Sequence, residues 1–235
     1  MSSFRVCRWS AWAPGLPDPG LWPAWLMTPD LSRLEGEAVP ALSELPPMTR
    51  RRIDPLGRAA LQTAFWTQGG LATGPVVFSS RWGEISRSVT LLRQLASGEP
   101  LSPTAFSLSV HNASSALYSI ARGDTANYAA VSAGAGSAAA AVCEALGLLA
   151  DGARQVLVVS VESALPDPYR AFDAEALPLR AWAALIEPGD EIRLESAPQT
   201  ATVPSSLPPD LAALQVIAGS ASELHQAGWR WSRHV

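Results

Sequence analysis

The 235-residue chain pairs 48% hydrophobic residues with only 16% charged ones, enough apolar material to offset chain entropy, which excludes a disordered chain. All 17 basic residues are arginine, so mechanisms built on a P-loop, Schiff-base or general-base lysine are excluded. The formal charge of −4 argues against a nucleic-acid surface, the run Arg50-Arg51-Arg52 apart.

The first 49 residues hold four of the nine Trp and eight of the 20 Pro, a composition that breaks helices while supplying large apolar anchors. It predicts one strand over 4–12 and then a wrapping loop whose tryptophans have no evident internal partner. No uninterrupted apolar run of a signal peptide is present there, so a cytoplasmic protein is expected. Cys7 and Cys143 lie far apart and outside any Cys/His cluster, and are expected as buried free thiols rather than a disulfide or zinc site.

From Asp54 the apolar residues recur at helical spacing behind an Asp54-Pro55 cap, predicting a helix. Val76-Val77-Phe78 reads as a short buried strand, 84–96 as a helix stopped by Gly98, and 114–121 as a helix ending at Gly123. Asn127, Tyr128, Ala129, Ala130, Val131 and Ser132 form the next strand, followed by a glycine turn and an Ala-rich helix over 138–150, too short to span a bilayer. Residues 155–161 are apolar and β-branched, typical of a strand buried on both faces, so 127–161 is a βαβ unit. Strands are expected over 181–186 and 191–195, joined by Glu187-Pro-Gly-Asp190, and a last helix over 207–220. The tail with Trp229 and Trp231 shows no periodicity. The pattern predicts a single three-layer α/β domain over 1–235 with a mostly parallel central sheet: a Trp/Pro-rich segment 1–49, a core 50–195, and a C-terminal helix and tail 196–235.

Two chemistries are weighed at the glycine turn. Gly134-x-Gly136-x-x-Ala139 follows a strand and opens a helix, with Glu162 where a ribose-binding acid belongs, a weak NAD(P)-binding pattern. A hydrolase elbow needs a nucleophile between the glycines, but that position is Ala135; Ser132 belongs to the strand and Ser137 is placed to cap the helix. His111 reads as a structural histidine before a helix, and His225 and His234 sit in the tail.

The stretch 76–162 resembles the N-terminal half of a β-ketoacyl synthase. The matching pieces are Phe78-Ser-Ser-Arg-Trp-Gly-Glu84, Leu101-Ser-Pro-Thr-Ala-Phe-Ser-Leu-Ser-Val-His-Asn112, Ser119-Ile-Ala-Arg-Gly123, Val131-Ser-Ala-Gly-Ala-Gly-Ser137 and Asp151-Gly152, in order and at matching spacing. The resemblance implies a thiolase fold, and it places Ala135 where such synthases carry the acyl-accepting Cys. A complete synthase also continues into a second half that supplies two histidines. The chain is therefore expected to be non-catalytic and to need no cofactor, similar to the small chain length factors of aryl polyene and xanthomonadin-type pathways. A homodimeric β-ketoacyl synthase-related enzyme is the alternative.

The resemblance further implies that the strand Asn127 to Ser132 pairs across a two-fold axis with its twin in a catalytic β-ketoacyl-ACP synthase. Phe106, Leu108, His111, Asn112, Gly134 and Gly136 would then stand at the interface or acyl tunnel wall. Phe106 and Leu108 are bulky enough to close the tunnel, as is Leu117. Phe106 is the first choice, against the plain alternative of a core phenylalanine. Arg50, Arg51, Arg52 and Arg58 are candidates for docking an acidic acyl carrier protein, against the alternative of a solvated basic patch.

Overall fold

A computed structural model describes residues 3–72, 74–173, 176–198 and 205–234. In chain order the elements are β1 (Ser3–Trp12), α1 (Trp22–Met27), α2 (Pro47–Arg50), α3 (Pro55–Gln68), β2 (Val76–Ser79), α4 (Ile85–Ala96), α5 (Pro103–Ser107) and α6 (Ala113–Arg122). Then follow β3 (Tyr128–Val131), α7 (Ser137–Ala150), β4 (Val156–Glu162), β5 (Arg180–Pro188), β6 (Ile192–Ser196), α8 (Pro209–Ala218), β7 (Glu223–Gln226) and β8 (Trp229–Arg233).

The strands form one eight-stranded sheet in the order β3-β2-β4-β5-β1-β6-β8-β7. Because successive side chains alternate between faces, the sheet carries two cores. Val77, Val158, Trp182, Ala184 and Ile186 meet α1, α7 and α8, while Phe78, Leu157, Val159, Ala183 and Leu185 meet α3 and Tyr118 of α6. The result is a helix–sheet–helix sandwich of three layers.

The sheet is mixed rather than mostly parallel. Only β2 pairs in parallel, with β3 and β4; every other pairing among the described residues is antiparallel. The sequence misleads because β5 follows β4 without a crossover helix, and β1 arrives from the far end of the chain. β1 also lies between β5 and β6, so Glu187-Pro-Gly-Asp190 does not close a paired hairpin.

The N-terminal segment is not a loop in search of a partner. Trp22 and Trp25 stack edge-on at 5.2 Å, are fully buried, and donate their indole N–H groups to the carbonyls of Leu16 and Asp30. Burying each such ring contributes roughly 1.5–3 kcal/mol, which fixes the segment beneath the sheet. The tail, expected to lack regular structure, forms the hairpin β7–β8, whose turn residues Ala227 and Gly228 both take left-handed backbone angles. Both cysteines are exposed, not buried. Among the described residues no helix is long and apolar enough to cross a membrane.

Candidate functional site

The predicted turn stands between β3 and α7. Gly134 takes a positive φ of 58°, and the Ser137 hydroxyl closes the turn by donating to the Gly134 carbonyl (2.7 Å) and accepting from the Ala133 N–H (3.0 Å). Ser137 is thus the first helical residue and staples the turn, rather than serving as the predicted N-cap. Gly136 permits close packing, since a Cβ there would stand 3.4 Å from the Trp229 indole nitrogen and 3.5 Å from the Ala227 carbonyl. Ala135 projects an exposed methyl group beside the N-terminus of α7. A thiol at such a place is activated by the helix dipole; a methyl group has no proton to lose and no lone pair to attack with.

Beneath the turn is a hollow of about 30 Å³ lined by Ala135, Arg81, Glu162, Arg180 and Asp210 among others. Arg180 grips Asp210 through two hydrogen bonds of 2.7 and 2.8 Å, which ties β5 to α8. Glu162, at the end of β4, accepts the Arg81 N–H at 2.8 Å. Burial, then the neighbouring Asp210 charge, pushes its carboxyl up to about 8. The acid that a ribose reading needs is therefore spent on the backbone and held neutral. With Trp229 over Gly136, the remaining hollow on that side is about 10 Å³, too small for a pyrophosphate.

The strand β3 is an outer strand of the sheet. The Asn127 and Val131 carbonyls accept from Val76 and Ser80 of the β2 side at 3.0 and 3.3 Å. By alternation Ala129 also faces β2, whereas Tyr128 and Ala130 direct N–H and C=O groups to the open edge. Large exposed apolar side chains stand on the helices that precede it in the chain: Leu92 and Leu95 on α4, Phe106 on α5, Val110 beyond it, and Ile120 on α6, the helix that packs on β3. Phe106 is 65% exposed on a short helix, which corrects the core-phenylalanine alternative. Leu108 and Leu117 are half-buried, and Asn112 is exposed.

His111 is held as a structural residue: its Nε2 donates to the Ser80 carbonyl at 3.0 Å, and its ring fills the space over Gly83, where a Cβ would meet it at 2.5 Å. In the basic run, Arg50 donates to the Ala41 carbonyl and Arg58 to the carbonyls of Ile53 and Arg50. Arg51 and Arg52 are exposed. Sequence reasoning missed Glu84, buried at the start of α4 beside Asp54 and Arg87, because an acid before a helix ordinarily reads as a solvated cap.

The family model for the β-ketoacyl synthase N-terminal domain matches residues 22–232. The chain belongs to that family. A ketosynthase-like structure, "Ketosynthase (ApeO) in Complex with its Chain Length Factor (ApeC)" from Xenorhabdus doucetiae, aligns at 32% identity and a TM-score of 0.86 over 99% of this chain and 100% of that one. The ishigamide ketosynthase/chain length factor aligns at 16% identity and TM-score 0.66, over 83% of this chain and 67% of that one. A β-ketoacyl synthase from Burkholderia phymatum aligns at 14% identity and TM-score 0.63, over 94% and 71% of the two chains. These last two show the fold alone. No curated protein sequence matches the chain. The thiolase-like fold of this ketosynthase-like domain is thus the one the motif order implied.

Proposed function

We propose that this ketosynthase-like chain is a chain length factor: a non-catalytic subunit that pairs with a catalytic β-ketoacyl-ACP synthase and helps shape its acyl tunnel during aryl polyene-type chain elongation. The observation that carries the reading is the methyl group of Ala135 at the nucleophile turn, on a turn otherwise intact in glycine placement and helix start. Covalent acyl transfer requires a nucleophile at that point, and loss of it removes nearly all such catalysis.

The open β3 edge favours an obligate partner, because the unpaired N–H and C=O groups of an outer strand, here with Tyr128 exposed on it, invite strand addition. Tyr128 and Ala130 would bond the partner strand, with Phe106 and Asn112 in the wall near it. The likeness to a chain of the Xenorhabdus doucetiae ketosynthase–chain length factor complex supports a ketosynthase as that partner. Arg51 and Arg52 are the arginines of the basic run free to meet an acidic carrier protein.

Co-expression with a catalytic β-ketoacyl-ACP synthase, followed by mass determination of the eluted particle, tests the pairing. A 1:1 heterodimer is expected. A stable monomer or homodimer that ignores the ketosynthase would overturn the reading.

A further inference from the structure

Arg81 and Glu162 both line the hollow of about 30 Å³ beneath the glycine turn. The Arg81 N–H donates to Glu162 at 2.8 Å, but its guanidinium lies over the Trp82 ring, 4.7 Å from the centroid, and its buried Nε makes no hydrogen bond among the described residues. A guanidinium on an aromatic face is held more weakly than one forked onto a carboxylate. We propose that Arg81 and Glu162 form a two-position proton switch: with the Glu162 carboxyl neutral the guanidinium rests on Trp82, and with it ionised the guanidinium enters the hollow and pairs with the carboxylate.

The other groups around the hollow leave Glu162 without a counter-charge of its own. Arg180 from β5 is bonded to Asp210 of α8 at 2.7 and 2.8 Å, and the Asp173 carboxylate, beyond β4, accepts the Leu165 N–H at 3.2 Å. The glycine turn and the start of α7 contribute Gly134, Ala135, Ser137 and Ala138, none of them charged. On the Trp82 side, His111 packs on Gly83 with its Nε2 3.0 Å from the Ser80 carbonyl. Two arginines thus face two aspartates among the described lining residues, and an ionised Glu162 adds one uncompensated negative charge to a buried site. Burial first, and then the Asp210 charge, push the Glu162 carboxyl up to about 8, so about one chain in ten is ionised at pH 7 and about nine in ten at pH 9. Arg81, whose guanidinium has no acid partner among the described residues, is the cation able to move to it. Its carbonyl accepts the Ser132 hydroxyl at 3.1 Å, and the Ser80 N–H donates to the Val131 carbonyl at 3.3 Å, so the switch acts on the segment that anchors the end of β3.

The proposal is independent of the chain length factor reading, and its test uses the full chain in whatever assembly it purifies. With isotope-labelled indole nitrogens, the Trp82 resonance is identified as the one lost in Trp82→Phe and followed from about pH 7 to about pH 10. In the wild type it is expected to shift with a single midpoint near pH 8. In Glu162→Gln, which keeps an acceptor for the Arg81 N–H but cannot ionise, it is expected to stay in place. The same comparison subtracts any contribution of His111. Arg81→Met, which lacks the moving charge, provides the comparison where Glu162→Gln fails to fold. A Trp82 resonance that does not move over that range, or that moves equally in either variant, overturns the proposal, as does a crystal structure at about pH 9.5 with the guanidinium still on Trp82.

Discussion

Replacing Ala130 with proline separates the open edge of β3 from the fold that supports it. Ala130 faces away from β2, so its N–H bonds nothing in the sheet and its loss leaves the β2–β3 ladder intact. In a heterodimer that pairs along this edge, the same proline removes one intermolecular hydrogen bond and leaves the partner's carbonyl buried and unpaired. That costs about 1–3 kcal/mol, before any clash of the ring with the partner strand. The dissociation constant should rise by roughly 5- to 150-fold, measured by titrating the two subunits in a calorimeter or by dilution through a sizing column. Ala129→Pro is the contrast, since Ala129 faces β2 and its replacement should lower the melting temperature instead. An Ala130→Pro chain of native melting temperature that binds the ketosynthase with unchanged affinity would refute β3 as the interface.

Other expectations concern the buried polar groups and the basic run. Arg180→Met strips Asp210 of two short hydrogen bonds in a buried setting and should cost about 3–5 kcal/mol, a fall in melting temperature of about 6–20 °C; a fall of less than about 2 °C would contradict the role given to the pair. Glu84 and Glu162 are raised from the ordinary 4.5 to about 9 and about 8, so the native chain keeps protons that the unfolded chain releases. Their stability contribution is thus complete below about pH 4.5 and fades as pH rises through 8 and 9. The double variant Glu84→Gln, Glu162→Gln should flatten that decline by up to about 1.4 kcal/mol per pH unit for each site, and identical slopes in urea titrations would count against it. Converting Arg50, Arg51 and Arg52 to serine should weaken carrier-protein binding and its salt dependence; unchanged, salt-insensitive binding would leave only a solvated patch.

Local signals made much of the fold legible. Asp54-Pro55 caps α3 with the Asp54 carboxylate on the Gly57 N–H, and Gly123 ends α6 in the left-handed conformation, as their positions in the sequence implied. Sheet order was not legible, because β1 pairs with β5 from Trp12↔Ala181 to Phe4↔Pro188, across most of the chain, and no local pattern encodes that partner. The terminal hairpin escaped notice because Ala227 occupies a left-handed position where asparagine would have advertised the turn. Alternation around Trp229 and Trp231, the second fully buried, was the available signal. At the site, the motif order located the glycine turn on which Ala135 stands. It could not show that Phe106 faces solvent, that Trp229 covers Gly136, or that Glu84 is buried, since each depends on elements distant in sequence.

Elongation assayed on three preparations bears most directly on the central claim: this chain alone, the ketosynthase alone, and the co-purified pair, each given malonyl- and acyl-carrier protein, with carrier-bound products read by mass spectrometry. The account predicts that this chain alone neither decarboxylates nor condenses. It also predicts that the pair makes products of defined length, and that alkylating the ketosynthase's cysteine abolishes them. Condensation by this chain alone, or the same length distribution from the ketosynthase without it, would contradict the account.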